Sequence, residues 1–292
     1  MSKLKLIYDD NASWEKDYIK ELFIHCNYDI ISLNNLKIED ELINNNILVF
    51  SSNVYTFQQI KNLSLIIKPL IIVHLSDEAG NRPEYTDLAS CTKLLLHQYH
   101  FNHYPYNNYN NIIQIPLGYM TNMFNNENRL NFKLKPLLER KYKWSFIGNI
   151  KQDRAEIIYK FSNKFNENFT GNNISPQRMF EIYNDSVFIP NGKGNCVIDC
   201  FRIYEAIFSG SIPIIVCEED EFNERFHFNN DIPPFIFEKT WDDAVNKCDY
   251  LLNNIEELEN IKQTNYEWLK NKIESIQKNI SSVLIISSTQ SI

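Results

Sequence analysis

Short apolar runs alternate with helical patterns through the first half of the chain. Residues 14–24 and 56–67 have the spacing of helices. Six runs read as strands, at residues 4–8, 30–33, 47–50, 70–75, 93–96 and 112–115. Because these runs are continuously apolar and alternate with helices, they predict a parallel sheet that is covered on both faces.

The pattern changes after residue 118. Residues 122–141 are polar, rich in asparagine and then basic, which predicts a linker. A second series follows, with strands at 144–148, 187–190, 212–216 and 235–237 and helices at 153–165, 176–183, 241–253 and 255–280. We therefore expect two Rossmann-like α/β domains, 1–135 and 136–292, facing across a cleft at the carboxyl ends of their sheets, where such sheets bind ligands. The last helix is a candidate to pack back across the first domain.

Charge and hydropathy narrow the class of protein. The 292 residues include 29 basic and 37 acidic ones, and this net charge of -8 argues against a nucleic-acid partner. No basic leader precedes an apolar segment, and no apolar run approaches the ~20 residues that span a bilayer. We expect a soluble, cytoplasmic protein.

The cysteines argue against both a disulfide framework and a structural zinc site. All six are scattered, and none forms a Cys-x-x-Cys pair. Cys196 and Cys200 lie four residues apart but have no histidine nearby. Reduced thiols are the expectation.

The segment from Phe188 to Pro213 carries the strongest functional signal. Its pattern is a strand, a glycine loop, a helix and a second strand. Pro190 is expected to end the first strand, and Gly192 and Gly194 to let the backbone turn tightly after Asn191. The next helix would present unpaired N–H groups and the positive end of its dipole to the loop, an arrangement that suits a diphosphate.

Arg202 and Glu205 are three residues apart on that helix, so their side chains share one face. A carboxylate there could accept hydrogen bonds from the two hydroxyls of a ribose. A cation near a helix N-terminus opposes the dipole, which is easier to understand if an anion is also bound. The two residues could equally form an ordinary surface ion pair.

Several short motifs resemble those of exostosin-like glycosyltransferases, and of the ribitol xylosyltransferase branch in particular. They are Gln114-Ile-Pro-Leu-Gly118, Phe146-Ile-Gly148 with Arg154, Arg202-Ile-Tyr-Glu-Ala206 followed by Gly210-Ser-Ile-Pro-Ile-Ile215, and Pro234-Phe-Ile-Phe237 with Trp241. The similarity runs from about Ile72 to Trp241, and the motifs stand in the family's order.

This resemblance implies a GT-B fold, with a nucleotide sugar held mainly by the second domain and inversion at the anomeric carbon. The donor would be a UDP-sugar, with UDP-xylose as one candidate, and the acceptor a hydroxyl of a glycan or of a polyol phosphate. Glu205 would hold the ribose, with Arg202 beside it. Arg154, the Gly148 turn and Asn149 would face the diphosphate, although Arg154 could also be an ordinary helix-surface residue.

An inverting transfer needs a base that removes the proton of the acceptor hydroxyl. The strand at 70–75 runs directly into polar residues, and Glu78 matches an acidic position of the similar xylosyltransferase, as Arg82 matches a basic one. Asp77 is the alternative base and His74 a weaker third. Asp77 and Glu78 could instead cap the following helix.

We expect no metal and no cofactor beyond the nucleotide sugar. An Asp-x-Asp motif is missing, and the acidic clusters at 9–10, 218–220 and 242–243 read as loops or helix N-termini. His97, His100 and His103 lie in a polar loop. Arginines and backbone amides would take the electrostatic role of a metal.

Two other classes of function remain open. A non-catalytic glycan- or nucleotide-binding module could keep the donor pocket without transfer. An NAD-dependent oxidoreductase could have the same architecture, but residues 8–12 lack the Gly-x-Gly-x-x-Gly turn that brings the backbone close to a pyrophosphate.

Overall fold

The computed structural model describes residues 3–39, 42–124 and 134–289. The chain forms two compact units, which are described separately. Unit 1 comprises Met1–Pro116, His227–Asn230 and Ile273–Ile292, and unit 2 comprises Leu117–Phe226 and Asp231–Lys272. Within the described ranges, no helix is both long and apolar enough to cross a lipid bilayer.

Unit 1 is built on a six-stranded sheet whose neighbouring strands are all parallel. The strands are β1 (Leu4–Tyr8), β2 (Tyr28–Ser32), β3 (Asn46–Ser51), β4 (Ile71–Leu75), β5 (Leu94–His97) and β6 (Ile112–Gln114). Their order is β2-β1-β3-β4-β5-β6. Both β3 and β4 are buried along their whole length. The parallel sheet predicted from the continuously apolar runs is confirmed.

Two α-helices connect the early strands, α1 (Lys16–Leu22) and α2 (Phe57–Ile67). The start of α2 is fixed by a capping box, in which the Thr56 hydroxyl accepts from the Gln59 N–H and the Gln59 side chain accepts from the Thr56 N–H. The helix ends at Lys68, where φ is 48°. Between β4 and β5 the connection is a 3-10 helix, Pro83–Cys91.

Unit 2 contains a five-stranded parallel sheet in the order β11-β10-β9-β7-β8. The strands are β7 (Tyr142–Ile147), β8 (Asn168–Gly171), β9 (Ser186–Asn191), β10 (Ile212–Val216) and β11 (Ile236–Glu238). The helices are α3 (Arg154–Lys164), α4 (Pro176–Asn184), α5 (Phe201–Phe208), α6 (Glu219–Arg225), α7 (Trp241–Leu252) and the first part of α8 (Ile255–Thr289). An aromatic and aliphatic core that includes Trp144, Phe161 and Trp241 fills the unit.

Two elements of unit 2 were not predicted. The strand β8 lies at an edge of the sheet and none of its residues is fully buried, so its sequence lacks an apolar run. The helix α6 is only seven residues long and begins within the acidic cluster at 218–220. Carboxylates in a first helical turn interact favourably with the helix dipole, which accounts for the cluster.

The units divide after Pro116, whereas the sequence predicted a boundary at residue 135. The reason is that apolar residues immediately after Pro116 pack within unit 2, where the Tyr119 ring lies 5.0 Å from that of Phe208. Residues 125–133 of the predicted linker lie outside the described part of the chain. Helix α8 belongs to unit 2 as far as Lys272 and to unit 1 from Ile273.

Arg140 is buried in unit 2 and connects several of its segments. One terminal nitrogen, Nη1, donates to the carbonyl oxygens of Tyr183 and Ser186 at 3.3 and 2.7 Å. The other, Nη2, donates to those of Lys135 and Ser209 at 2.9 and 3.3 Å. Burial lowers the pKa of Arg140 to about 10, so the group remains a cation at neutral pH. It satisfies main-chain acceptors at the ends of α4 and α5 and the start of β9.

Replacing Arg140 by Met should therefore destabilise unit 2 strongly. Truncation leaves buried carbonyl oxygens without donors, and we expect a loss of about 3–5 kcal/mol in the free energy of unfolding. Urea denaturation measures this loss. Arg178→Met removes an exposed arginine of α4 and is the matched control. A loss below about 1 kcal/mol for Arg140→Met would show that these hydrogen bonds do not hold the unit together.

Candidate active site

Two loops of unit 2 meet where β7 and β9 end. The Lys193 N–H donates to the Asp153 carboxylate at 3.1 Å, and the Gln152 side chain donates to the Asn195 carbonyl at 2.9 Å. Lys151 also bonds the Asn195 side chain. The predicted site residues 148–154 and 190–192 are therefore brought together at the carboxyl edge of this sheet.

Gly148 lies between two guanidinium groups. Its φ is 146°, and a Cβ atom there would lie 3.1 Å from Nη2 of Arg202 and 3.8 Å from Nη1 of Arg154. Only glycine adopts this backbone conformation readily and leaves the cations close to the main chain. The loop after β7 thus has two positive charges beside it.

Arg202 is buried, with 8% of its surface exposed. Its terminal nitrogens donate to the carbonyl oxygens of Gly192 at 3.3 Å and Ile147 at 3.4 Å. The guanidinium also lies 4.8 Å from the centre of the Phe146 ring, a cation–π contact. The surface ion pair considered from the sequence is therefore wrong, because Arg202 is inside the unit and tied to both loops.

Arg154 is likewise buried at 6% exposure. Its Nη1 donates to the Asn149 carbonyl at 3.0 Å, and its Nη2 to the Lys193 carbonyl at 2.7 Å. The alternative of a helix-surface arginine is therefore also wrong. Like Arg202, it holds one loop against the other through backbone oxygens.

Pro190 and Gly192 do not have the backbone roles expected from the sequence, which were to end the strand and to allow a tight turn. Pro190 does not end its strand, since β9 continues to Asn191 and Pro190 pairs with Ile214 of β10. Gly192 does not have a positive φ; instead, a Cβ there would lie 2.8 Å from side-chain carbons of both Arg154 and Ile157. It is glycine because α3 packs against it. The Asn191 amide donates to the Ile198 carbonyl at 2.9 Å and closes the loop.

Two helix N-termini begin in these loops. The residues that precede α3 and α5, Asp153 and Cys200, make no side-chain cap to their own helix in the described structure. In the first turns, the Arg154 N–H donates to the Lys151 carbonyl and the Ile203 N–H to the Cys200 carbonyl, both at 3.1 Å. The helix dipoles favour negative charge at these N-termini. With the guanidinium groups of Arg154 and Arg202, they make this edge of unit 2 suited to a diphosphate.

Glu205 is buried on α5, with 3% exposure. Its Oε1 accepts from the Met120 N–H at 3.3 Å. Burial raises the pKa of this carboxyl to about 7, against the opposing effects of Arg202 and of the Met120 hydrogen bond. Arg202 and Glu205 are close enough for an electrostatic attraction that favours the carboxylate form. Glu205 is a buried carboxyl that can change protonation state near neutral pH.

At the end of β4 in unit 1 the backbone is strained. Ser76 and Asp77 have φ values of 76° and 75°, which non-glycine residues seldom adopt. The Ser76 N–H donates to the Gln98 side chain at 2.9 Å, and the Ser76 hydroxyl lies 2.9 Å from that of Ser51. Such strain persists only where neighbouring groups hold it in place.

Asp77 and Glu78 have different surroundings. Asp77 is 4% exposed and accepts from the Tyr104 hydroxyl, and burial raises its pKa. Glu78 is half-buried. Arg82 is also half-buried, and its N–H donates to the Tyr104 oxygen at 3.0 Å. A single tyrosine thus connects Asp77 to Arg82, and neither acidic residue caps the 3-10 helix that follows.

His74 is not in a cleft, contrary to expectation. Its side chain is fully buried against the rings of Phe50 and Tyr85, whose centres lie 5.1 and 4.5 Å from its own. Its Nδ1 lies 2.9 Å from Nδ1 of His97. Burial lowers the pKa of both imidazoles, that of His97 to about 3. His74 is therefore a neutral core residue, unable to serve as a base for a substrate.

A polar network at the carboxyl edge of unit 1 was missed by sequence reasoning. Asp9, fully buried after β1, accepts from the Ser51 N–H at 3.1 Å. Gln98, after β5, donates to Glu15, whose pKa burial raises to about 8. The sequence did contain a signal for this network, because each of Asp9, Ser51 and Gln98 lies at or just after the end of a strand.

The three histidines spaced by three serve separate purposes. His97 pairs with His74, His100 stacks on Tyr106 at 4.6 Å, and His103 donates to the Gly80 carbonyl at 2.9 Å. Among the residues the structure describes, no group of three or more His, Cys, Asp or Glu side chains is arranged to hold a metal ion.

No family model and no curated protein matches this chain. Solved structures do. An alpha-glucosyltransferase in complex with UDP-glucose and DNA containing an abasic site has a TM-score of 0.53 and 11% identity, over 91% of this chain and 94% of the other. The chain has the GT-B fold.

Two further GT-B structures support this assignment. An alpha-glucosyltransferase in complex with UDP and mismatched DNA has a TM-score of 0.56 and 9% identity, over 92% of this chain and 95% of the other. An O-GlcNAc transferase mutant from Thermobaculum terrenum has a TM-score of 0.50 and 11% identity, over 99% and 67%. The predicted GT-B fold is confirmed, while the exostosin-like resemblance rests on its motifs. The exclusion of nucleic acid stays a prediction from net charge.

The protonation of Glu205 gives this GT-B protein a specific pH dependence. A raised pKa contributes stability that is fully present below the ordinary value of 4.5 and is lost as pH rises through about 7. Relative to Glu205→Gln, the wild type should lose up to about 3 kcal/mol between pH 4.5 and pH 8. Urea denaturation of both proteins across this range measures the difference.

The matched control is Glu181→Gln, which removes an exposed carboxylate of the same unit. The comparison with each variant cancels other titrating groups, including Glu15 in unit 1. A wild type that gains stability over Glu205→Gln as pH rises would contradict the raised pKa of Glu205.

Proposed function

We propose that this protein is a glycosyltransferase that moves a sugar from a nucleotide sugar to an acceptor hydroxyl. One observation carries the proposal: the guanidinium groups of Arg154 and Arg202 flank Gly148 at the loops from which α3 and α5 begin. Two fixed cations and two helix N-termini form a site for a dianionic diphosphate. The GT-B neighbours described with UDP-glucose and UDP support a UDP-sugar donor.

The donor is held by unit 2 in this proposal. Arg154, Arg202 and the backbone at Gly148, Asn149 and Gly192 bind the diphosphate, with Pro190 and Asn191 closing the loop beneath it. One oxygen of Glu205 is held by Met120, and the other accepts from the ribose hydroxyls. This role requires the carboxylate form, and the attraction of Arg202 favours that form.

Glu78 is the base in the proposed reaction, with Asp77 as the alternative. Asp77 is buried and already accepts from Tyr104, whereas Glu78 is half-buried and so accessible to an acceptor. The acceptor proton passes to the Glu78 carboxylate as the acceptor oxygen bonds to the anomeric carbon. The bond from that carbon to the diphosphate breaks at the same time, and the nucleoside diphosphate leaves with both bonding electrons.

The leaving group gains negative charge during this step, and fixed cations stabilise it without reorganising. We therefore propose that transfer needs no metal ion and inverts the anomeric configuration. The exostosin-like motifs favour UDP-xylose as one candidate donor and a glycan or polyol-phosphate hydroxyl as acceptor. Retained activity in excess chelator and an inverted anomeric proton signal by NMR are the expected results.

Donor binding should depend on Arg202. Loss of a charge-assisted contact to the diphosphate should weaken UDP binding about 10- to 100-fold in Arg202→Met, measured by calorimetry. Arg202→Lys keeps the charge and should lose less. Arg178→Met, an exposed arginine of the same unit, is the control. A folded Arg202→Met protein that binds UDP as tightly as the wild type would refute this donor site, and its unliganded melting temperature reports the folding.

Transfer should depend on Glu78 without affecting the donor. Glu78→Gln should lower kcat about 100- to 10,000-fold, the usual contribution of a general base. The thermal shift produced by the nucleotide sugar should not change, since Glu78 belongs to unit 1. Glu84→Gln, an exposed carboxylate nearby in the chain, is the matched control.

A test of the neighbouring carboxylate, Asp77, could contradict the assignment of Glu78 as the base. Full activity in Glu78→Gln together with its loss in Asp77→Asn would make Asp77 the base. Donor binding without transfer to any acceptor, in the wild type, would instead indicate a non-catalytic module of the same fold.

A further inference from the structure

A cavity of about 310 Å³ lies in unit 1 where β5 and β6 end. His97 and Gln114, the last residues of those strands, contribute to its lining, as do Tyr106 and Asn107. Its volume is at the lower end of the range for small-molecule sites. None of these residues is among those assigned to the donor or to the base.

Three flat rings form one wall of this cavity. The His100 ring is stacked on that of Tyr106 at 4.6 Å and on that of His227 at 4.5 Å, with interplanar angles of 15° and 11°. Such rings offer apolar faces and polar edges within one surface. A ligand with both C–H and hydroxyl groups matches that combination.

The lining carries no fixed charge. As the described residues define it, the lining contains imidazole, phenol, amide and aliphatic side chains, without Asp, Glu, Lys or Arg. Asn107 and Asn230 each bring a carboxamide that both donates and accepts. A phosphate would be expected to have an arginine, a lysine or a helix N-terminus as partner. Neutral hydroxyl groups fit this lining better.

His227 is held in the wall of the cavity by the strained segment 228–230, which is hydrogen-bonded to Gln114. Phe228, Asn229 and Asn230 all have left-handed φ values of 39°, 58° and 69°. The Phe228 N–H donates to the Gln114 side chain at 2.6 Å, and the Gln114 N–H donates to the Asn229 side chain at 3.1 Å. Three consecutive strained residues are unfavourable, and the hydrogen bonds to β6 stabilise them.

From these features we propose that the cavity binds the acceptor as a neutral saccharide, rather than as a polyol phosphate. The proposal rests on the proposed transferase function and specifies the chemistry of its acceptor. His100 is stacked on both neighbouring rings, so it is the ring face of His227 turned away from His100 that contacts the C–H face of a pyranose, while the amides exchange hydrogen bonds with its hydroxyls. His227, which is far from the rest of the lining in sequence, completes the wall.

Saturation-transfer NMR on the full chain tests this proposal without any donor present. The probes are the neutral methyl glycosides of glucose, galactose, mannose, xylose and N-acetylglucosamine, with ribitol 5-phosphate as the charged comparison. At least one neutral glycoside should bind. Its affinity should fall about tenfold in His227→Ala, which removes one stacking face.

The matched control is His25→Ala, an exposed histidine of the same unit, which should bind like the wild type. Asn107→Ala changes an exposed residue of the lining, so it tests the site even if His227→Ala fails to fold. Binding of ribitol 5-phosphate alone, binding of no glycoside, or an unchanged affinity in both folded variants would overturn the proposal.

The outcome of the glycoside-binding experiment can be distinguished from that of the nucleotide-sugar experiments. Glycoside binding that depends on His227, with no thermal response to any nucleotide sugar, would refute the transferase function and leave a saccharide site. A response to nucleotide sugars without glycoside binding would refute only the neutral acceptor.

Discussion

A buried guanidinium remains charged and therefore requires hydrogen-bond acceptors, and unit 2 is organised around that requirement. Arg140 meets it with main-chain carbonyls from separate segments, so the ends of α4 and α5 cannot move independently. Arg154 and Arg202 meet it with carbonyls of the two loops beside Gly148. Carbonyl oxygens accept from the terminal nitrogens of all three side chains without supplying a full negative charge, whereas Nε of Arg202 is buried without a hydrogen-bond partner in the described structure. The same side chains can therefore hold the loops in place and present positive charge to an anion.

In unit 1 the buried groups at the strand ends are acidic or neutral and polar. There the cost to be avoided is a buried negative charge. Gln98 connects two of them, because it accepts from Ser76 and donates to Glu15. Since burial raises the pKa of Glu15 to about 8, this carboxyl is mostly protonated at neutral pH and avoids the cost of a buried charge. The strained turn that carries Asp77 is thus held by largely uncharged contacts. Such an arrangement fixes the turn that precedes the half-buried Glu78.

The sheets could be predicted because a parallel strand buried on both faces needs a continuous apolar run, as in β3 and β4. The edge strand β8 could not, since half-exposed residues do not produce that signal. For Arg202 and Glu205, spacing identified the shared helix face but not its burial. That burial depends on residues such as Met120 and Ile147, which are distant in sequence. The position of His227 could not be predicted either. It follows from the hydrogen bond between the Phe228 N–H and the Gln114 side chain, two residues far apart in the sequence.

Net charge was the least informative guide to the ligand. The net charge of -8 led to the prediction that the chain does not bind nucleic acid, since a long polyanion interacts with much of the surface field. A diphosphate would interact mainly with groups within a few ångströms of it. The guanidinium groups of Arg154 and Arg202, both buried, lie close to Gly148. The lining of the cavity in unit 1, by contrast, contains no Asp, Glu, Lys or Arg among the described residues. Two permanently charged side chains therefore lie beside Gly148 in unit 2, whereas the lining of the unit 1 cavity contains imidazole, phenol, amide and aliphatic groups. A small ligand responds to such local differences, which the net charge of the chain does not describe.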